Sequence, residues 1–227
     1  NDLAQKLIEE LQCETVFTIP VLGGIPVSEA VVVTWIIMAV LVIVAFILTR
    51  NLKVDHISKR QAVAESIVTG LMNMVQGMVG EKGRKYVPYL TTVMLYIGVS
   101  NIIGLFGFKS PTKDLRVTVA LALMSIILIE AAGIYHKGVK RWLHGFVEPV
   151  AIVTPINILE VVTKPLSLCM RLFGNVLGAF VIMELLKMIL PVGLPVVFSL
   201  YFDIFDGLLQ AYVFVFLTSL YIDEITE

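Results

Sequence analysis

An arginine, a lysine, a serine and an asparagine stand on one stripe of an otherwise apolar run. Lys164, Ser167, Arg171 and Asn175 are spaced i, i+3, i+7 and i+11. On an α-helix these positions share one narrow face. Arg171 keeps its proton at any physiological pH. A charge near a bilayer centre costs roughly 2.5–3.5 kcal/mol on insertion scales, so it marks an ion or substrate pathway by default. The competing reading is an Arg locked to a carboxylate to join two helices. Gly174 and Gly178 form a G-x-x-x-G pair beside the stripe. Small residues let a second helix approach closely in lipid. Further along, Asp203, Asp206 and Gln210 are spaced i, i+3 and i+7, again within an apolar run. Ionisable groups inside spans face a bundle interior or a water-filled cavity. By spacing alone, these two carboxylates either hydrate an aqueous path or neutralise Arg171.

The elements that must position these groups are membrane helices. The chain has 227 residues, of which 15 % are charged, and a mean hydropathy of +0.91. Soluble domains average about 25 % charged. Several runs reach the roughly 20 residues needed to cross a bilayer. They are continuously apolar, unlike the alternating segments of a membrane β-barrel. The expected class is an all-α polytopic membrane protein with about five crossings, plus one interfacial amphipathic helix.

The expected organisation is a single membrane domain. An outer N-terminal segment covers 1–28 and a first span 29–48. An amphipathic helix at 57–79 lies along the cytoplasmic interface, with Ile57, Val63, Ile67, Leu71, Met74 and Met78 recurring at helical spacing. Spans follow at 89–106 and 117–134. Two long helices, 150–190 and 195–222, meet at the Pro191–Pro195 turn. Arg50, Lys53, Lys59 and Arg60 follow the first span, and Lys137, Lys140 and Arg141 follow the third. The positive-inside rule then places the N-terminus outside and the C-terminus in the cytoplasm.

Other chemistry finds no support. A net charge of −1 gives no bulk basic field for nucleic acid. Cys13 and Cys169 lack metal spacing, and no phosphate-binding P-loop motif occurs. No cofactor is expected. Asn101 reads as an interhelical hydrogen-bonding residue. Glu130 reads as snorkelling to the interface or pairing with a nearby base.

The run Lys164-Pro165-Leu166-Ser167-Leu168-Cys169-Met170-Arg171-Leu172-Phe173-Gly174-Asn175 resembles the signature of subunit a of F-type ATP synthases. Gln210, in Leu209-Gln210-Ala211-Tyr212-Val213-Phe214, resembles that family's second helix marker. The resemblance extends from about residue 20 to 222, including Thr91-Thr92 and Asn101 on the second span. It implies a stationary, non-catalytic subunit of a bacterial plasma membrane, set against a rotating ring of c subunits. Peripheral-stalk subunit b, the F1 sector indirectly, and membrane lipid are the other implied partners. Two offset half-channels would carry H⁺ or Na⁺ to and from the ring carboxylates. Arg171 would separate them, with Ser167, Asn175, Gln210 and Asn101 near the path and Gly174 and Gly178 against the ring.

Two departures stand out. The family commonly has a Glu nine residues after the Arg, where this chain has Phe180. Glu184 lies one turn later, about 40° around the helix, and is expected to supply that carboxylate. Its simpler reading is a local pair with Lys187. Some members carry a His seven residues before the Gln, where this chain has Asp203. Two readings from other classes compete: a secondary transporter with a midplane Arg site, and a structural scaffold. A transporter usually shows internal repeats with paired broken helices, and the sequence shows none.

Overall fold

The computed structural model describes residues 15–19, 25–50, 52, 58–106, 108, 110–145, 154–189 and 194–226. Residues 1–14 with Cys13, the basic Lys53, the start of the long helix at 150–153 and the Pro191–Gly193 turn lie outside the described residues.

Among the described residues the chain is helical apart from one strand pair. Strands β1 (Thr15–Ile19) and β2 (Ile25–Ser28) pair antiparallel. Sequence reading missed this hairpin; Gly23-Gly24 between two β-prone runs is the signal that would have found it. Helix α1 (Glu29–Thr49) follows at once, then α2 (Lys59–Val79), α3 (Val87–Ile102), α4 (Leu115–Lys137), the short α5 (Val139–Gly145) and the long α6 (Thr154–Ile189). The last helix is composite: α7 (Leu194–Ser199), a π-helical segment (Leu200–Asp206) and α8 (Gly207–Thr226).

Local chemistry explains the helix ends. The Ser58 hydroxyl accepts the Gln61 N–H at 3.3 Å and caps α2. Asp114 caps α4 by accepting the Arg116 N–H at 2.9 Å. Its other oxygen accepts the Ser28 hydroxyl at 3.1 Å, which ties the hairpin to the start of α4. Gly80 and Gly138 end α2 and α4 at φ 71° and 75°, a region that costs a residue with a Cβ.

Among the described residues six helices are long and apolar enough to cross a membrane, α2 being the least apolar of them. Contacts define two ends of the bundle. Ser28, Thr112, Asp114, Asn101 and Gly207 are joined at one end by hydrogen bonds. The opposite end joins Lys164 to Glu224, with Gly133 packed on Ile225. Helix α1 starts at the first end and, by its length, finishes at the second. Helix α2 starts beside Leu48 near the finish of α1. It stops where Gly80 lies 3.7 Å, measured from an ideal Cβ, from the Asp223 carboxylate near the finish of α8. Both of its ends therefore lie at the same end of the bundle.

The core forms where α3, α4, α8 and the middle of α6 meet. Leu90, Ile97, Ile129, Leu168, Leu172, Phe214 and Val215 are almost fully buried there. Much of the remaining apolar surface is exposed, including Val42 and Phe46 on α1 and Leu159, Leu166 and Met170 on α6. Such surface suits lipid or a partner helix.

Candidate functional site

Helix α6 has two opposed faces. Leu168, Cys169 and Leu172 pack into the core at 4 % exposure or less. Ser167, Arg171, Gly174 and Asn175 lie on the exposed side, among Leu166 and Met170. Arg171 has no hydrogen bond or ion pair among the described residues. The reading of Arg171 as half of a salt bridge between two helices thus finds no carboxylate there. Asp203 and Asp206 do not neutralise it either. At Gly174 and Gly178 an added Cβ would meet nothing within 4 Å, so the glycine edge of this face is open.

One cross-helix bond ties this face to α8. The Asn175 side-chain Nδ2 donates to Gln210 Oε1 at 2.7 Å, and Gln210 is 2 % exposed. Two expected polar positions are thereby joined. Asn101 performs the interhelical role expected of it: its Nδ2 donates to the Gly207 carbonyl at 2.9 Å. The Thr112 hydroxyl donates to Asn101 Oδ1 at 2.7 Å and fixes the amide's orientation. At Gly207 an added Cβ would lie 2.7 Å from the Asn101 Cβ, so only glycine permits this approach of α3 to α8.

The carboxylates gather in a cleft of about 340 Å³ at the first end of the bundle. Glu184, Asp203 and Asp206 line it, with Asn101, Ser199, Gln210 and Lys113. These acids come from α6 and from the π-helical segment. A π-turn widens the helix and is found frequently at functional sites; here it carries both aspartates. The Ser199 hydroxyl donates to Asp203 Oδ2 at 2.8 Å. Lys113 sits with its Nζ 4.1 Å from the centroid of the Phe180 ring. Position 180 thus presents an aromatic face to a cation. Neither the π-helical segment nor the part played by Lys113 was read from the sequence. The side chain of Lys187 lies outside the described residues, so the expected Glu184–Lys187 pair does too.

A second cleft, of about 330 Å³, opens at the opposite end between α4, α5, α6 and α8. Glu130, Glu160 and Glu224 line it with Lys137, Arg141 and Lys164. Lys164 Nζ stands 3.1 Å from Glu224 Oε2. Glu130, expected either to snorkel to the interface or to pair with a nearby Lys or Arg, accepts the Trp142 indole N–H at 2.9 Å. Pro165 has no N–H to give the Val161 carbonyl, and Val161 lines this cleft.

Arg171 lines neither cleft. On α6 it falls between the residues that line the second (157–164) and those that line the first (176–184). At about 1.5 Å per residue it stands about 8 Å from the nearer lining position and about 10 Å from the other. The arrangement is two polar clefts from opposite ends, offset around one helix, with a fixed positive charge between them on an uncovered face.

Comparison with known proteins gives this geometry a family. Residues 31–223 match the model of the ATP synthase A chain. The chain is 36 % identical over 203 residues to ATP synthase subunit a of Moorella thermoacetica, covering 88 % of this chain and 92 % of the relative. It is 35 % identical over 215 residues to the ATP synthase subunit a of Propionigenium modestum that is described as sodium ion specific, covering 88 % and 74 %. It is 30 % identical over 197 residues to ATP synthase subunit a 1 of Crocosphaera subtropica, covering 86 % and 85 %. With the match spanning most of the chain and the Arg171 signature on it, this protein belongs to the ATP synthase A chain family of multi-pass membrane proteins, which serve ATP synthesis and ion transport.

Proposed function

We propose that this chain is the stationary ion-channel subunit of a rotary F-type ATP synthase. It passes H⁺ or Na⁺ between the two sides of a bacterial plasma membrane and the carboxylates of a c-ring. The observation that carries this reading is Arg171 itself: an unpaired guanidinium on an open apolar face, between two clefts from opposite ends. In lipid such a charge calls for an anion. A deprotonated ring carboxylate, arriving from another chain, is the anion that fits.

The cycle follows from charge. An ion enters the first cleft, where Glu184, Asp203 and Asp206 attract it. It neutralises a ring carboxylate, which can then turn into lipid at little electrostatic cost. A carboxylate that returns and opens onto the second cleft releases its ion there. The bare carboxylate is then drawn past Arg171. The fixed positive charge repels a free cation and so blocks direct passage between the clefts. Gln210 and Asn175, joined by their hydrogen bond, keep α6 and α8 in register beside Arg171. Gly174 and Gly178 leave space for the ring helix.

The orientation rests on charge and on α2. Arg50, Lys59, Arg60, Lys137 and Arg141 belong to the second end, which by the positive-inside rule is the cytoplasmic one. Helix α2, with both ends there, is read as lying along the inner interface, which leaves five crossings. The N-terminus is then outside and the C-terminus inside. Subunit b and, through it, F1 are the remaining partners of this reading.

The test is copurification with the ring together with cross-linking. Cysteines placed at Gly174 and Gly178 should cross-link to subunit c in assembled complexes. Cross-links that reach only lipid-facing controls on α1, and never subunit c, would contradict the assigned face.

A further inference from the structure

A groove at the inner end of the bundle takes no part in the ion path. It runs between the last turn of α1 and the first turns of α2, with a volume of about 440 Å³. Leu48, Val63, Ala64 and Ile67 form its apolar wall, and Lys59 and Arg60 stand on it as well. Val63 and Ile67 are 60 % and 57 % exposed, so no described residue covers them.

The charge on this groove is one-sided. Lys59 and Arg60 are exposed and have no hydrogen bond or ion pair among the described residues. The first turn of α2 contains no acid. The nearest carboxylate on the helix, Glu65, accepts from the Gln61 side-chain Nε2 at 2.7 Å. The N-terminus of a helix carries partial positive charge of its own, so two cations there oppose the helix dipole instead of complementing it. Among the described residues no carboxylate relieves that arrangement, and an anion from outside the chain does. The apolar wall beside it excludes a fully hydrated anion as the whole ligand and calls for a molecule that joins an anionic head to alkyl chains.

We infer that this groove binds an anionic phospholipid of the inner leaflet. Its phosphate sits against Lys59 and Arg60, and an acyl chain lies along Leu48, Val63, Ala64 and Ile67. Basic pockets between membrane helices on the cytoplasmic side recognise such headgroups. A zwitterionic lipid supplies the same chains, but its ammonium cancels the attraction. The site uses the inner placement of this end proposed above, although its readout does not involve ion transport.

Native mass spectrometry of the full purified chain, titrated with phosphatidylglycerol or phosphatidylcholine of matched chains, tests the inference. The wild type should retain phosphatidylglycerol in preference to phosphatidylcholine. Lys59→Gln with Arg60→Gln should weaken phosphatidylglycerol retention about 30-fold, since each basic residue near an anionic headgroup contributes about fivefold. Ala64→Phe leaves both cations and fills the groove, and it too should lower retention. Equal retention of the two lipids by the wild type overturns the inference, as does unchanged phosphatidylglycerol retention in either variant. Full retention in Ala64→Phe alone would reduce the site to surface attraction of a headgroup, which also overturns the groove. Arg171→Ala should leave lipid retention untouched, so failure of the ion-path reading and failure of the lipid site are read separately.

Discussion

The two clefts that flank Arg171 are built from different balances of charge. At the first end, Glu184, Asp203 and Asp206 share their cleft with one lysine among the described residues, Lys113, which lies against the Phe180 ring. At the opposite end, Glu130, Glu160 and Glu224 are matched in number by Lys137, Arg141 and Lys164, and one pair is in direct contact. The first cleft thus carries three acidic residues to one basic residue among the described residues that line it. The opposite cleft is lined by acids and bases in equal number, three of each among the described residues. Ion entry and release through one subunit need not use mirror-image chemistry. What the two clefts share is the helix between them and its unpaired guanidinium.

The largest effect is expected where that guanidinium is removed. Arg171→Ala should abolish ATP-driven ion transport while the complex still assembles, because the residue makes no hydrogen bond or ion pair among the described residues. Arg171→Lys should fail or nearly fail as well, since a compact ammonium lacks the planar fork and gives up its proton more readily in lipid. Transport by inverted membrane vesicles, normalised to assembled complex, reads both.

Glu184→Gln sharpens the comparison at the outer cleft. If Glu184 stands in for the acid absent at position 180, its loss should lower the coupled rate by about 10²-fold, the scale of a positioned proton-transfer group. Lys187→Gln should do little. Small and similar effects of the two changes would favour the local pair and remove Glu184 from the path.

Two glycines test packing in opposite ways. Gly207→Ala drives a Cβ into Asn101 and should destabilise the chain by about 1–3 kcal/mol, read as a lowered Tm. At Gly178 an added Cβ meets nothing within 4 Å, so with Gly178→Leu Tm should hold while ring association falls. The smallest effect belongs to the inner cleft. Lys164 and Glu224 form a pair whose side chains are 17 % and 49 % exposed. Removing one member with Glu224→Gln should cost under about 1 kcal/mol and leave transport near normal. A large transport defect there would mean that the inner charges are not merely balanced.

Much of this architecture was legible in composition and period. Unbroken apolar runs and basic clusters gave a polytopic helical protein, and the i, i+3, i+7 stripe gave the face that carries Arg171. Asn101 was legible as a polar residue seeking a cross-helix partner, because an amide in a span rarely goes without one. Contacts between distant segments were less accessible. The stripe of Asp203, Asp206 and Gln210 was laid out on an ideal α-helix, whereas residues 200–206 form a π-helix. Such a bulge has no compositional mark, since it arises from packing rather than propensity. Lys113 was overlooked because it lies in a connection between helices, and only the fold brings it over Phe180. The β1–β2 hairpin leaves little pattern to read, since its strands are only five and four residues long.

The most direct test asks whether the two clefts open to opposite sides. Val161 and Ala179 lie on the same helix, about 27 Å apart at about 1.5 Å per residue, and line the second and first clefts respectively. In a background with Cys13→Ser and Cys169→Ser, Val161→Cys and Ala179→Cys would be exposed to a membrane-impermeant thiol reagent in sealed vesicles of each orientation. The account predicts that Ala179→Cys reacts only from outside and Val161→Cys only from the cytoplasmic side. Reaction of both positions from the same side, or of either from both sides, would contradict a pair of half-channels kept apart at Arg171.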